Sequence, residues 1–103
     1  LSLAVRLLWR EQKFAEAFEL AQKGIDISLA HIENSSASSL FPILARLFRW
    51  RSLVAESLPT GDLQLRIELA KAHNLAVLRR DVDTQATLIN CMLRDLLRQS
   101  QST

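Results

Sequence analysis

Apolar positions recur along this chain at three- and four-residue spacing, the pattern of amphipathic helices, and the reading leaves no place for a sheet. The spacing predicts five helices separated by short breaks. The first runs from Leu1 to about Glu11 and is apolar almost all round apart from Arg6 and Arg10. A tight break at Gln12-Lys13 leads into a long second helix from Phe14 to about Glu33. The cap formers of "NSSASS" follow as a loop. Ser38 or Ser39 is placed to cap a third helix, and Pro42 falls in its first turn, where a missing N–H costs nothing. "LPTGD" ends that helix. Pro59 and Gly61 suit a type I turn, and Thr60 or Asp62 is placed to cap a fourth helix reaching about Leu78. In a fifth helix, Ala86, Ile89, Leu93 and Leu96 hold helical spacing, with Leu88 and Met92 widening the apolar stripe. Thr87, Asn90, Arg94 and Arg98 make its polar face.

Two features of this pattern favour a helical-repeat array over a closed bundle. The fourth helix carries Leu63, Ile67, Ala70 and Val77 on one side and Leu65, Leu69, Ala72 and Ala76 on another. A helix apolar on two faces is expected to lie between neighbours, as in stacked helix pairs. In the second helix, Phe14, Ala17, Ala21 and Gly24 align one large and three small residues, as in the second helix of a tetratricopeptide repeat. Gly24 inside a helix costs about 1 kcal/mol against alanine, and close packing against the first helix accounts for it. The expected class is all-α, with antiparallel helix pairs in a tetratricopeptide-like array, residues 1–103 forming one helical-repeat segment.

Composition agrees. Of 103 residues, 49% are hydrophobic and 6% aromatic, with two glycines, two prolines and no tyrosine, a helical mixture. Thirteen basic residues against eleven acidic leave a net charge of +2, which exerts no global pull toward nucleic acid or membranes. The apolar run around "LFPILA" is far shorter than a membrane span requires. One cysteine excludes an internal disulfide framework and fits a reducing compartment. The chain begins with leucine and reads as a segment from inside a longer protein.

Candidate chemistry is sparse. "RRDVDTQATLINCMLRDLL" gathers Asp81, Asp83, Cys91 and Asp95, yet the two leading aspartates sit where a helix N-terminus takes carboxylate caps. A thiol four residues from a carboxylate has its pKa raised, the wrong direction for a nucleophile. No carboxylate lies within helical reach of His31 or His73, no metal-ligand spacing occurs, and the isolated glycines make no phosphate-cradling loop. No catalytic residue, cofactor or metal site is expected. "RLFRWR" interleaves arginines with aromatics, as nucleic-acid sites do. At about 100° per residue, however, Arg46 and Arg49 lie about 60° apart while Arg51 points about 200° from Arg49. Three arginines on one patch are therefore excluded. Leu47, Phe48, Trp50 and Val54 are expected inside, with arginines snorkelling at the borders. Arg46, Arg49 and Trp50 are the candidate contacts for an acidic protein segment.

The stretch "LAVLRRDVDTQATLINCMLRDLL" carries Asp81, Gln85, Ala86, Leu88, Asn90, Leu93, Arg94 and Asp95 in an order that resembles the non-ATPase regulatory subunit 3 family of the 26S proteasome, PCI-type subunits of the regulatory-particle lid. "FAEAF" and "LFRWRSLVAESL" follow the same layout. Arg80 departs from the family's common histidine and Leu96 from its common aromatic, and after Leu97 "RQSQST" abandons the expected helix. The winged-helix part of a PCI module is not visible in these residues. The resemblance implies a non-enzymatic scaffold in cytoplasm and nucleus, supporting ubiquitin-dependent degradation. Its implied partners are neighbouring PCI-type lid subunits and a small acidic disordered lid protein, with no nucleic acid and no membrane. A PCI scaffold of the COP9 signalosome or a translation initiation factor, or a free-standing tetratricopeptide adaptor, remains open at this stage.

Overall fold

Helical spacing translates directly into architecture in a computed structural model, which describes residues 2–35, 38–58 and 63–101. Among the described residues, five α-helices carry the chain and no strand occurs: α1 (Ser2–Arg10), α2 (Phe14–Asn34), α3 (Phe41–Ala55), α4 (Leu63–Leu78) and α5 (Val82–Gln101). α3 packs most extensively on α2 and also meets α1 and α5, while α4 pairs with α5. Ion pairs and hydrogen bonds tie α4 to α2, through Gln22–Glu68 and Glu33–Lys71. The helices thus form two layers, α1, α3 and α5 beside α2 and α4, as stacked helix pairs require.

Two of the breaks use the same device. The Lys13 N–H reaches the Leu8 carbonyl at 2.9 Å and the Gln12 N–H reaches Trp9 at 3.0 Å. Between α4 and α5, the Asp81 N–H reaches Ala76 at 2.9 Å and the Arg80 N–H reaches Val77 at 3.1 Å. Both are Schellman closures, which need a left-handed residue after the helix. Gln12 (φ 62°) and Arg80 (φ 57°) supply it without being glycine, so each turn carries some backbone strain.

The connection into α3 differs from expectation. Ser38 and Ser39 do not cap it: a single 3₁₀ turn, Ser38–Leu40, leads in, Leu40 occupies the cap position without a side-chain bond, and Pro42 stands in the first turn as expected. Hydrogen-bonding helix and 3₁₀ turn back to back leaves the serine hydroxyls in solvent. The turn expected at Pro59 and Gly61, and the cap at Thr60 or Asp62, lie outside the described residues. The end of α2 is closed by another helix pair: Arg79 Nη2 donates to the Ile32 and Ser35 carbonyls at 3.1 and 3.4 Å. There it also places positive charge at the negative end of the helix dipole.

Burial follows two clusters. Val5 of α1, Ala17 and Ala21 of α2 and Val54 of α3 form the smaller one, with Trp9 and Trp50 against it at 6.0 Å between ring centres. Ala17, Ala21 and Gly24 are all buried along one stripe of α2, and Ala17 and Ala21 pack in one cluster with Val5 of α1. The larger cluster joins Ile25, Leu29 and Ile32 to Phe41, Leu44, Leu47 and Phe48, closed by Leu69, Ala72 and Ala76 of α4 and Leu88 of α5.

Three expectations about burial are corrected. Within α4, Leu65, Leu69, Ala72 and Ala76 are buried, but Ile67, Ala70 and Val77 on the other face are exposed; the helix is covered on one side rather than two. On α5, Ala86, Ile89, Leu93 and Leu96 are exposed, and the buried ridge is Thr84, Leu88, Cys91 and Asp95. Its i, i+4, i+7, i+11 spacing is as helical as the more apolar stripe, and it faces an arginine. That arginine is Arg51, which does not snorkel at a border: only 2% of it is exposed.

Arg51 Nη1 donates to Glu68 Oε1 at 2.7 Å and to Gln22 Oε1 at 2.8 Å, and Nη2 donates to the Leu65 carbonyl at 3.3 Å. Its guanidinium lies 4.8 Å over the Phe48 ring. Gln22 Nε2 donates in turn to both Glu68 oxygens at 2.8 Å. One charged side chain from α3 therefore fastens α2 and α4. Burial lowers the Arg51 pKa from its usual value, and Glu68 opposes that shift; an arginine nonetheless stays charged.

Removing one partner of such a pair strands the other in the core. Glu68→Ala is expected to cost about 3–5 kcal/mol, and Arg51→Met combined with Glu68→Leu to regain most of that loss; urea denaturation of the single and double variants checks both. At the start of α5, the Thr84 N–H reaches Asp81 Oδ1 at 3.0 Å, so Asp81 is the cap and exposed Asp83 only occupies the first turn. Asp81→Ala should cost about 0.5–2 kcal/mol, clearly more than Asp83→Ala. Equal losses in thermal denaturation would reassign the cap.

Candidate protein-interaction surface

α3 presents two unlike faces. Its core side carries Leu44, Leu47, Phe48 and Arg51, and its outer side carries Arg46 and Arg49, both exposed. The angular reading that separates Arg51 from the other two therefore holds. Trp50, expected inside, is half-buried: tilted at 60° to Trp9, it keeps part of its indole at the surface.

The three candidate residues come together with a wall that was not anticipated. Arg46, Arg49, Trp50 and Leu53 of α3 face Thr87, Asn90, Leu93, Arg94 and Leu97 of α5 across a cleft of about 810 Å³. Buried Ser52 and Cys91 lie at its base. Among the described residues, three arginines line it and no acidic residue does. Arg94 Nη1 lies 4.0 Å from Glu56 Oε1, both side chains about half exposed. Arg94, Leu93 and Leu97 were missed because the fifth helix was read as one buried stripe and one solvated face. The signal that finds them is the second helical ridge, which turns the stripe outward.

Cys91 lines the cleft and Asp95 lies on the same buried ridge of α5. Burial pushes the Cys91 thiol up, and the Asp95 charge adds to this, against a hydrogen bond from Ser52. The direction matches the sequence reading, but desolvation rather than the carboxylate is the leading cause. Asp95, 5% exposed, has its carboxyl raised by burial and lowered by Arg98, at 3.4 Å, and by Arg51. His31 is exposed and His73 half-buried. Among the described residues no group of three or more His, Cys, Asp or Glu side chains is placed to hold a metal ion, and no helix is long and apolar enough to cross a membrane.

A second uncovered region lies on the other layer. Ile67, Ala70, Lys71, Leu75 and Leu78 of α4 border a hollow of about 470 Å³ with Glu33 of α2. Leu78 is 76% exposed and Ile67 58%. The geometry supplies apolar contact area and guanidinium groups, both of which are common at protein interfaces.

Raised in the folded state, the Asp95 carboxyl keeps its proton to higher pH than in the unfolded chain. Its stabilising share is full below the ordinary carboxylate range and is lost as pH rises through the raised folded value. Asp95→Asn, held neutral, is expected to flatten that part of the stability curve. Urea midpoints of both proteins across the mildly acidic range test this, and an unchanged slope would place Asp95 in solvent.

A family model described as PSMD3-like, N-terminal TPR repeats, matches residues 1–103. A probable 26S proteasome non-ATPase regulatory subunit 3 from Daucus carota is 32% identical over 96 residues, covering 92% of this chain and 18% of that protein. The 26S proteasome non-ATPase regulatory subunit 3 homolog A from Arabidopsis thaliana is 38% identical over 71 residues, 68% of this chain and 14% of that protein. The chain thus spans less than a fifth of the length of these curated relatives. No solved structure matches it significantly. Stacked helix pairs, small residues at the α1–α2 approach and a match along the whole chain agree: the chain belongs to the family of PSMD3-like N-terminal TPR repeats.

Proposed function

We propose that this chain is a non-catalytic scaffold segment of the 26S proteasome regulatory-particle lid, acting in lid assembly by protein–protein contact and so supporting ubiquitin-dependent protein degradation. The observation that carries this reading is the pair of uncovered surfaces: the apolar outer face of α4, and the arginine-lined cleft between α3 and α5. Exposed apolar patches rimmed by polar groups mark sites that another protein covers. Family membership supplies the assembly, since the similar plant proteins are named as non-ATPase regulatory subunits of the 26S proteasome.

The partners in this reading are neighbouring PCI-type lid subunits and the small acidic disordered lid protein, met in cytoplasm and nucleus. Arg46 and Arg49 form carboxylate pairs at the border of the contact and Trp50 is an anchor within it, the arrangement in which charge sets encounter and aromatic burial sets lifetime.

Reversing both charges, Arg46→Glu with Arg49→Glu, is expected to weaken capture of lid subunits and to reduce the salt dependence of what remains. Both side chains are exposed, so helix content should not change. A pull-down with purified lid components at low and high salt, with circular dichroism of the variant, makes the test. Undiminished capture by the folded double variant would remove these arginines from the interface. Failure of the wild-type chain to join any lid subunit would overturn the scaffold role.

A further inference from the structure

Exposed apolar side chains are concentrated at one end of the array. Of the twelve large hydrophobic residues exposed among the described ones, eight belong to α4 and α5, and most of these fall on two seams. Along α4, Ile67, Ala70, Asn74 and Val77 follow one another at intervals of three and four. Along α5, Val82, Ala86, Ile89, Leu93 and Leu96 do the same. Every one of these side chains is exposed and none is charged. Each seam lies about half a turn from the buried ridge of its own helix. Both ridges enter one cluster, through Leu69 and Ala72 of α4 and Leu88 and Cys91 of α5. The two seams therefore share the opposite side of the α4–α5 pair and make one face.

We propose that this face is a self-association site, on which a second copy of the chain lays its own α4–α5 pair to close a four-helix contact about a two-fold axis. The inference goes beyond the lid reading, whose named residues Arg46, Arg49 and Trp50 lie in the cleft instead.

Spacing, charge and size choose a second copy. A mean interval of 3.5 residues is that of a seam which meets another helix at a shallow angle. Two such seams side by side meet two more as in a four-helix bundle. Two copies of the arginine cleft repel each other, whereas the seams bring no like charges together. Lys71, at their border, is already paired with Glu33 at 2.6 Å. Helices of 16 and 20 residues lie side by side here. They offer a face about 24 Å long and 20 Å wide, so two faces amount to about 1,000 Å², where specific interfaces begin. Asn74 is the polar member of the α4 seam, and its amide carries both a donor and an acceptor. A matching asparagine satisfies both, while a shifted register sets the amide against isoleucine or valine.

The other end of the array does not match this face. On α1, which packs on α2 and α3, exposed Leu3 and Leu7 stand among exposed Arg6 and Arg10. Head-to-tail stacking sets those cations on apolar side chains. Like-with-like pairing avoids this and closes at two copies instead of running on as a fibre.

Sedimentation equilibrium of the chain over a concentration series makes the test, the monomer being 11.7 kDa. The expected result is a monomer–dimer equilibrium that sodium chloride does not weaken, since no charge pair holds it. Val77→Arg with Ile89→Arg is expected to raise the dissociation constant at least about tenfold. Asn74→Lys should raise it too, and Arg46→Glu with Arg49→Glu should leave it unchanged. All these positions are exposed, and circular dichroism of each variant separates lost pairing from lost fold. A monomer at every concentration, growth past two copies, or a dimer that survives Val77→Arg with Ile89→Arg overturns the proposal. A monomer that still captures lid subunits rejects self-association alone; a dimer that captures none rejects the lid reading.

Discussion

Arg51 is the constraint on which the arrangement of helices depends. An arginine with 2% of its surface exposed has lost nearly all its hydration, which is tolerable only where donors and charge are both met. Glu68 meets the charge, Gln22 and the Leu65 carbonyl each accept a further N–H, and the Phe48 ring lies under the guanidinium plane. These partners come from three helices. Apolar contacts among α2, α3 and α4 tolerate sliding by a turn with modest loss, because leucine packs nearly as well against one leucine as another. A bidentate-capable guanidinium does not tolerate it, since any shift strands a buried charge. The apolar cluster supplies the driving force for docking, and the polar network selects the register.

That register decides the orientation of α5. With Arg51 buried nearby, a carboxylate can occupy the inner ridge, and Asp95 does, with Arg98 one turn on. The ridge Thr84–Leu88–Cys91–Asp95 goes in, and the more apolar stripe of Ile89, Leu93 and Leu96 comes out. Hydrophobicity by itself would choose the opposite rotation. The outward stripe then brings Leu93 and Leu97 beside Arg94 and opposite Arg46 and Arg49.

The sequence was most legible where geometry is local. Most helix spans, the breaks at Gln12-Lys13 and Arg80-Asp81, Pro42 in a first turn and the small-residue stripe of α2 follow from periodicity and backbone preference. The end of α5 does not: it runs on to Gln101, past the stop expected after Leu97. Legibility failed where a choice depended on distant residues. Nothing within a few positions of Arg51 reveals Glu68 or Gln22, so a buried arginine looked like a border arginine. The same blindness reversed α5, because two helical ridges of similar spacing compete and the choice between them rests on tertiary contacts. Ser38 and Ser39 had the chemistry of caps, but Leu40 took the position when a 3₁₀ turn supplied the backbone bonds instead. Of the candidate site, the α3 residues were visible because their angular separation is fixed by the helix itself, whereas the α5 wall was hidden by the misassigned stripe.

The uncovered face of α4 follows from the same logic. A helix with apolar residues on two sides has one side committed by the Leu65–Leu69–Ala72–Ala76 ridge, which lies in register with the Arg51 network. Ile67, Ala70 and Val77 are then left outward by the period of the helix, and rotating α4 to hide them would pull Glu68 from Arg51. Exposure of this face is therefore fixed by a buried ion pair rather than by weak packing. In a stacked helical array each layer is completed by its neighbour, and here the polar core determines which face each neighbour must meet.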